Sequence, residues 1–253
     1  MAEKIYQDFT ISAEGITGHS SIPKKENAIY LLAEAMTALE KYRPVPTLIP
    51  ATRSFFKERA KLEEPQLAKA MTAVVDSQKA IPGWALSEIE KNPIIAFQLY
   101  TSCVETMVSG GTKENVLAAK AQANVNCRIL PSESVEDVHE RLVRIIKNPK
   151  VKIELAKAML AAGASPVENE VMTAVKTAGH EFWPNALVIP ALSLGASDSR
   201  YLRARRVAAY GVSCFALTED DSSRAHGIDK RLPLASIEPG LRYINRIVSL
   251  LVR

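Results

Sequence analysis

Around residues 117–130 the chain alternates with a period of two. Ala121, Ala123, Val125, Cys127 and Ile129 fall on one side, and Gln122, Asn124, Asn126 and Arg128 on the other. Successive side chains of a strand point to opposite faces, so this stretch is a strand with one buried and one wetted face, as in an antiparallel sheet. A second strand is expected over residues 8–14, with Phe9, Ile11 and Ala13 inward, and a third over 94–108, turning at Gly110-Gly111. Residues 15–23 are rich in turn formers. Ile29, Leu32, Met36 and Leu39 have helical spacing, and the helix over 27–42 ends at Arg43-Pro-Val-Pro46, because proline removes a donor and restricts its predecessor.

Pro131 stops the long strand, and Ser134 with Asp137 forms a capping-box signature for a helix to residue 146. Val135, Val138, Leu142 and Ile145 are its apolar stripe, and residues 151–155 return as a strand. Residues 45–92, with Pro65, Pro82 and Trp84, are expected to add one or two short helices packed on this unit. The result is an α+β module with helices on one face of an antiparallel sheet.

From about residue 165 the rhythm changes. A helix is expected over 168–182, strand at 187–189, helix over 198–206, a fully buried strand over 207–217, and a closing helix over 236–253 striped by Leu241, Ile244, Val248 and Leu251. That alternation belongs to an α/β sheet covered on both faces. Two strands are fewer than the roughly 4–6 of a typical sheet, so this region is part of such a sheet.

The net charge of +4 arises from 32 basic and 28 acidic residues dispersed along the chain, which argues against a nucleic-acid partner. Arg200, Arg203, Arg205 and Arg206 read as a solvated last helical turn. No apolar run approaches the roughly 20 residues that span a bilayer, and the polar start does not resemble a signal peptide; no membrane partner and a cytoplasmic location are expected. Cys103, Cys127 and Cys214 lie far apart in apolar runs and are expected to be reduced core residues, without zinc or redox spacing.

Of four histidines, His139 is expected on the solvated side of its helix and His180 near a helix C-terminus, with no second histidine at ligand spacing. His19 and His226 lie in loops, where functional residues concentrate. Arg128, beside Asn124 and Asn126, either offers its guanidinium fork to a carboxylate or is a solvated or cross-strand-paired arginine. Gly195-Ala-Ser197-Asp198-Ser-Arg200 crosses from strand to helix. It is either a capped helix start or the rim of a ligand crevice with Asp198 and Arg200 as binding groups. A serine hydrolase built on Ser20 or Ser197 with His226 lacks a Gly-x-Ser-x-Gly elbow.

In order along the chain, Gly18-His19-Ser20-Ser21-Ile22-Pro23, Gly111-Thr112 with Asn115-Val116-Leu117, and Val125-Asn126-Cys127-Arg128-Ile129-Leu130-Pro131 resemble the di-zinc aminoacylase and carboxypeptidase family. So do Gly195-Ala196-Ser197-Asp198-Ser199-Arg200, Ala209-Tyr210-Gly211 and His226-Gly227-Ile228-Asp229. That family includes carboxypeptidase S, glutamate carboxypeptidase, acetylornithine deacetylase and succinyl-diaminopimelate desuccinylase, and the carboxypeptidase-S-like branch matches best. The resemblance implies a zinc-dependent hydrolase of amide bonds acting on N-acyl amino acids or small peptides with a free carboxylate. Residues 1–157 would be the lid, or dimerisation, domain with its helical insertion, and 158–253 the C-terminal portion of an α/β catalytic domain. It further implies that His226 is a zinc ligand, and that His19 reaches across a homodimer to stabilise the oxyanion at the partner's site. Asn115 and Arg128 would bind the substrate's oxygens.

In the family most zinc ligands and the catalytic glutamate precede the lid domain, in a His-x-Asp motif and paired acidic residues. This chain has no His-x-Asp, its Glu63-Glu64 pair lies in the insertion, Ala118 stands where proline is usual, and Lys230 stands where glutamate is usual. A catalytic zinc needs about three protein ligands, so the site is expected to be incomplete here. The alternative is an inactive dimerisation or binding module derived from the family.

Overall fold

A computed structural model describes residues 2–157, 162–224 and 227–252. A short strand, β1 (Ala2–Glu3), leads into β2 (Ile5–Glu14). Helix α1 (Ala28–Lys41) follows, and the Asn27 side chain accepts from the Ile29 N–H to cap its first turn. Four short helices come next, α2 (Pro50–Arg59), α3 (Pro65–Asp76), α4 (Gly83–Ile89) and α5 (Pro93–Ala96), the first three within residues 45–92, where the sequence pattern predicts one or two. Three of them begin on proline, whose missing N–H has no partner in a first turn anyway. They share their own core around Phe56, Met71, Val74, Ile89 and Leu99.

The third strand starts later than expected. Asn92 accepts from the Ile94 and Ile95 N–H groups and caps α5, so residues 93–96 are helical and β3 runs Ser102–Gly110. Gly111 turns the chain with φ of 76°, a conformation that suits glycine. Strand β4 (Lys120–Ile129), helix α6 (Val135–Ile146) and strand β5 (Val151–Leu155) complete the unit. The capping box forms as expected: Ser134 Oγ accepts from the Asp137 N–H, and the Asp137 carboxylate accepts from the Ser134 N–H.

The sheet has the order β3-β4-β2-β5 and is antiparallel throughout. Its inward row, including Phe9, Ile11, Val125, Cys127 and Ile129, is sealed by Leu32, Ala35, Val138 and Leu142 of α1 and α6. Burying each large apolar side chain contributes roughly 1.5–3 kcal/mol, which fixes the register: a slip of one residue would turn this row to water.

Cys103 and Cys127 are register partners on β3 and β4 and form a disulfide, with Cα atoms 4.0 Å apart. The expectation of three reduced cysteines is therefore corrected; their separation of 24 residues conceals that the hairpin brings them face to face, and Cys214 is free. His139 is also corrected. It is half-buried, with Nε2 2.9 Å from the Ile153 carbonyl oxygen and its ring stacked on Phe9, because α6 lies directly over β5.

Beyond residue 162 come α7 (Glu170–Phe182), β6 (Leu192–Ser193), α8 (Ser199–Ala204), α9 (Glu219–Ser223) and α10 (Ile237–Leu251). Helices α7 and α10 pack through Val175, Ala178, Tyr243 and Ile247, with Trp183 edge-on to Tyr243. The strands expected at 187–189 and 207–217 do not form. The segment that pairs is β6, parallel to β1, with Ala2 opposite Leu192, while residues 207–217 are irregular and leave Val207 and Leu217 exposed. A strand buried on both faces needs hydrogen-bonding neighbours. Among the described residues β6 already takes β1, and no other strand is offered to this region. No helix among the described residues is long and apolar enough to cross a membrane.

Candidate functional site

Two clusters of polar side chains occupy opposite ends of the four-stranded sheet. At the end where β2 stops, Gly15 lies so close to α1 that a Cβ there would sit 2.4 Å from the Ala28 nitrogen, which holds the following loop against the helix. That loop is stitched to the segment before β4. The Leu117 N–H donates to the Gly18 carbonyl at 2.8 Å, the Ser20 N–H donates to the Asn115 carbonyl at 3.1 Å, and His19 forms an isolated bridge with Val116. His19 and Asn115 are therefore brought together. The Ser21 N–H and Oγ approach His19 Nδ1 at 3.2 and 2.8 Å. A ring nitrogen that accepts from an N–H carries no hydrogen, so the neutral imidazole has its proton on Nε2, available as a donor on an exposed loop.

At the other end, Arg128 stands on the outward face of β4 opposite Tyr6, its guanidinium 4.5 Å from the Tyr6 ring centre. Arg128 Nε donates to Asn126 Oδ1 at 3.0 Å. Asn126 and Asn124 donate in turn to Asp8 Oδ1 at 2.8 and 3.1 Å. Burial pushes the Asp8 carboxyl up, but hydrogen bonds from Asn126, Tyr6 and Asn124, with the charge of Arg128, bring it below the usual carboxylate range. Arg128 is thus held by neighbours without being consumed in an ion pair among the described residues.

Lys4, absent from the sequence expectations, lies beside this cluster. Its ammonium is buried, donates to the Tyr100 carbonyl at 2.7 Å and lies 5.5 Å from the Phe97 ring centre. Burial, reinforced by the like charge of Arg128, lowers its pKa from 10.5 to about 8. Lys4 and Arg128 flank a hollow of about 280 Å³ walled by Ile94, Phe97, Val104 and Leu194. The alternation of β2 foreshadows part of this, since Tyr6 and Asp8 share a face with Thr10; no local pattern signals Lys4. A larger cavity of about 550 Å³, between the end of α1, α5 and α6, holds none of the expected site residues.

Residues 195–203 are clamped to the start of the chain. The Ser197 N–H and Oγ–H both donate to Glu3 Oε2, and Arg203 pairs with Glu3 Oε1. Arg203 is buried, so the arginine cluster is not simply a solvated helical turn; Glu3 draws Arg203 inward. Asp198 sits at the N-terminus of α8 and its side chain makes no capping bond, whereas Ser197 Oγ accepts from the Ser199 N–H. Arg200 lies over the Tyr201 ring and donates to its hydroxyl.

His226 lies outside the described residues. Among the described residues no three His, Cys, Asp or Glu side chains come together as a group that could hold a metal ion. The described donors do not fit a zinc ion.

The sequence profile of the M20 peptidase dimerisation domain matches residues 2–154. The chain is 25% identical over 247 residues to an N-fatty-acyl-amino acid synthase/hydrolase of Mus musculus, covering 96% of this chain and 48% of that protein. It is 25% identical over 249 residues to a probable carboxypeptidase S-like protein of Dictyostelium discoideum, covering 92% and 44%. The chain spans about half the length of the curated relatives it matches. Among solved structures, an M20 family metallo-carboxypeptidase of Sulfolobus solfataricus superimposes with a TM-score of 0.63 at 14% identity, covering 99% of this chain and 59% of that one. A di-peptidase of Saccharomyces cerevisiae gives 0.61 at 16% identity, covering 98% and 56%. These likenesses establish a shared fold.

Proposed function

The chain belongs to the M20 peptidase family through its dimerisation domain, and from that premise we propose that it forms the dimer-building and substrate-gripping part of an amide-bond hydrolase. The substrate class is an N-acyl amino acid or small peptide with a free carboxylate. The observation that carries this reading is the placement of His19 and Arg128. His19, in the loop after β2, is bridged to Val116 ahead of β4, and Arg128 lies at the far end of that strand. At about 3.4 Å per residue, the eight steps from Lys120 to Arg128 alone span about 27 Å. One copy cannot bring both groups to one small substrate. Two copies paired in opposite directions can, with Arg128 of one gripping the carboxylate and His19 of the other donating from Nε2 to the developing oxyanion. A donor placed there lowers the barrier by on the order of 3 kcal/mol.

In this reading Asn115 orients a substrate oxygen beside His19, and Asp198 and Arg200 border the crevice from the second region. A zinc ion, which would supply an activated water, would be held chiefly by the metal-binding region that the resemblance places ahead of the dimerisation domain, with His226 as the one further ligand that the resemblance implies. Strand β3 supports pairing: it is an edge strand, with Met107 and Val108 exposed. Unpaired edges are templates for another strand.

The test has two parts. Light scattering should give twice the 27.7 kDa chain mass, and Val108→Lys should shift the protein toward monomer. With the metal-binding region supplied in trans, His19→Ala and Arg128→Ala should each abolish amino-acid release from an N-acyl substrate, and a mixture of the two should recover part of it through mixed dimers. A monomeric protein sinks the reading, as does a mixture that stays inactive while the parent protein hydrolyses. The lack of a three-donor metal group among the described residues favours a second reading, an inactive dimeric binding module. That protein would be a dimer that binds acyl amino acids and releases nothing.

A further inference from the structure

Strand β3 turns Cys103 and Glu105 inward, opposite Cys127 and Val125 of the buried row. Glu105 thus carries a carboxylate into apolar surroundings. Its Oε1 is shielded from water and, among the described residues, meets no hydrogen-bond donor, whereas Oε2 is not shielded in this way. The side chain is half-buried and lines the cavity of about 550 Å³ between the end of α1, α5 and α6, so its carboxylate opens onto that space. A shielded polar atom in a folded protein nearly always has a partner. An acceptor left without one beside a cavity marks a place for a donor that the chain itself does not supply.

The rest of the wall says what kind of donor. Leu39, Phe97, Leu142 and Ile145 give it apolar surface, and Phe97 stands edge-on to Tyr100. Glu40 and Glu90 add two further carboxylates, Glu90 Oε1 accepting from the Tyr100 hydroxyl at 2.7 Å. The cations of the wall are already engaged. Arg141 lays its fork on Glu133, with both bonds at 2.9 Å, and Arg43 Nη1 donates to the Glu40 and Tyr42 carbonyls. Negative charge is therefore in excess around an apolar space. Cavities of about 300–1,000 Å³ with apolar walls and a few placed polar groups are the usual form of a small-molecule site.

We infer that this cavity binds a small organic cation, an ammonium carried on an aromatic body. The ammonium donates to the Glu105 carboxylate, a charge-assisted bond of the stronger kind, and the ring packs against Phe97, Leu142 and Ile145. Apolar burial supplies attraction without direction, and Glu105 sets the orientation and the preferred charge. The site shares no residue with His19, Asn115 or Arg128, so it is separate from the substrate-gripping surface, and its failure leaves the dimeric hydrolase reading untouched.

Titration calorimetry of the whole chain at neutral pH tests this directly. Tryptamine should bind at least tenfold more tightly than tryptophol, which has the same ring and no charge, and than indole-3-propionate, which has the opposite charge. It should also exceed methylamine, which has the charge and no ring, by at least tenfold. Glu105→Gln should weaken tryptamine at least tenfold and leave tryptophol unchanged, with a melting temperature no lower than the parent's. Ile145→Trp, which puts a larger side chain into the space, should weaken tryptamine and tryptophol alike. The proposal is overturned if tryptamine does not bind, or if tryptophol, indole-3-propionate or methylamine binds as tightly. A folded Glu105→Gln or Ile145→Trp protein that binds tryptamine like the parent overturns it as well. The ligand comparison on the parent protein decides the matter even where a variant does not fold.

Discussion

Arg203 Nη2 lies 2.5 Å from Glu3 Oε1, and neither side chain is more than 6% exposed. The second Glu3 oxygen accepts from Ser197 twice, so one carboxylate at the beginning of the chain fastens residues 197–203. Removing one partner of a buried pair leaves an uncompensated charge, which costs about 3–5 kcal/mol.

Glu3→Ala is therefore expected to destabilise the protein by about that amount in denaturant unfolding, and to expose residues 195–206 to limited proteolysis. Removing both charges with Glu3→Leu and Arg203→Leu should recover part of the loss. Unchanged stability and unchanged cleavage in Glu3→Ala would refute the clamp.

Lys4 gives a dependence on pH with a defined sign. The unfolded chain holds the proton to about 10.5, the folded one only to about 8. Between those values unfolding takes up a proton, so raising the pH withdraws that pull and stability climbs, by on the order of 3 kcal/mol. Tyr100 and Tyr243, both raised chiefly by burial, act in the opposite direction above pH 10. The Lys4 contribution is therefore the difference between the parent and Lys4→Met, and identical pH profiles for the two would contradict it.

The Cys103–Cys127 bond closes a loop of about two dozen residues, for which chain entropy gives a stabilisation of about 3 kcal/mol. Protein purified without reductant and then denatured should show one free thiol per chain, Cys214, and three after reduction. Reductant should lower the melting temperature of the parent and not that of a Cys103→Ser, Cys127→Ser variant. Three free thiols before reduction would restore the reduced state expected from spacing.

Elemental mass spectrometry after dialysis at neutral pH is expected to find well below one zinc per chain, since the described residues hold no three-donor group. Two tightly held ions would show that donors outside those residues complete a site.

What the sequence revealed divides along the range of the interactions involved. The β4 alternation and the Ser134–Asp137 box are local, and both the buried row and the helix start follow from them. The resemblance pointed to His19 and Asn115, and the alternation put Arg128 on the wetted face; the stitching of Gly18 and Ser20 to the Asn115 loop depends on pairing across the sheet. Arg203 read as a solvated charge and Lys4 and Glu3 gave no signal, because the contacts that bury them span roughly 100 and 200 residues. The run at 207–217 is apolar enough for a strand, but composition cannot supply the neighbouring strand that its backbone would need.

The pairing of Ala2–Glu3 with Leu192–Ser193 also has a consequence in time. A ribosome extends a chain at about 5–20 residues per second, so β1 emerges roughly 10–40 s before its partner strand exists. The antiparallel sheet can close meanwhile, its strands lying within residues 5–155. Glu3 then waits as a charged, hydrated side chain, since its partners Ser197 and Arg203 come later still, and its burial is among the last events in the protein's assembly.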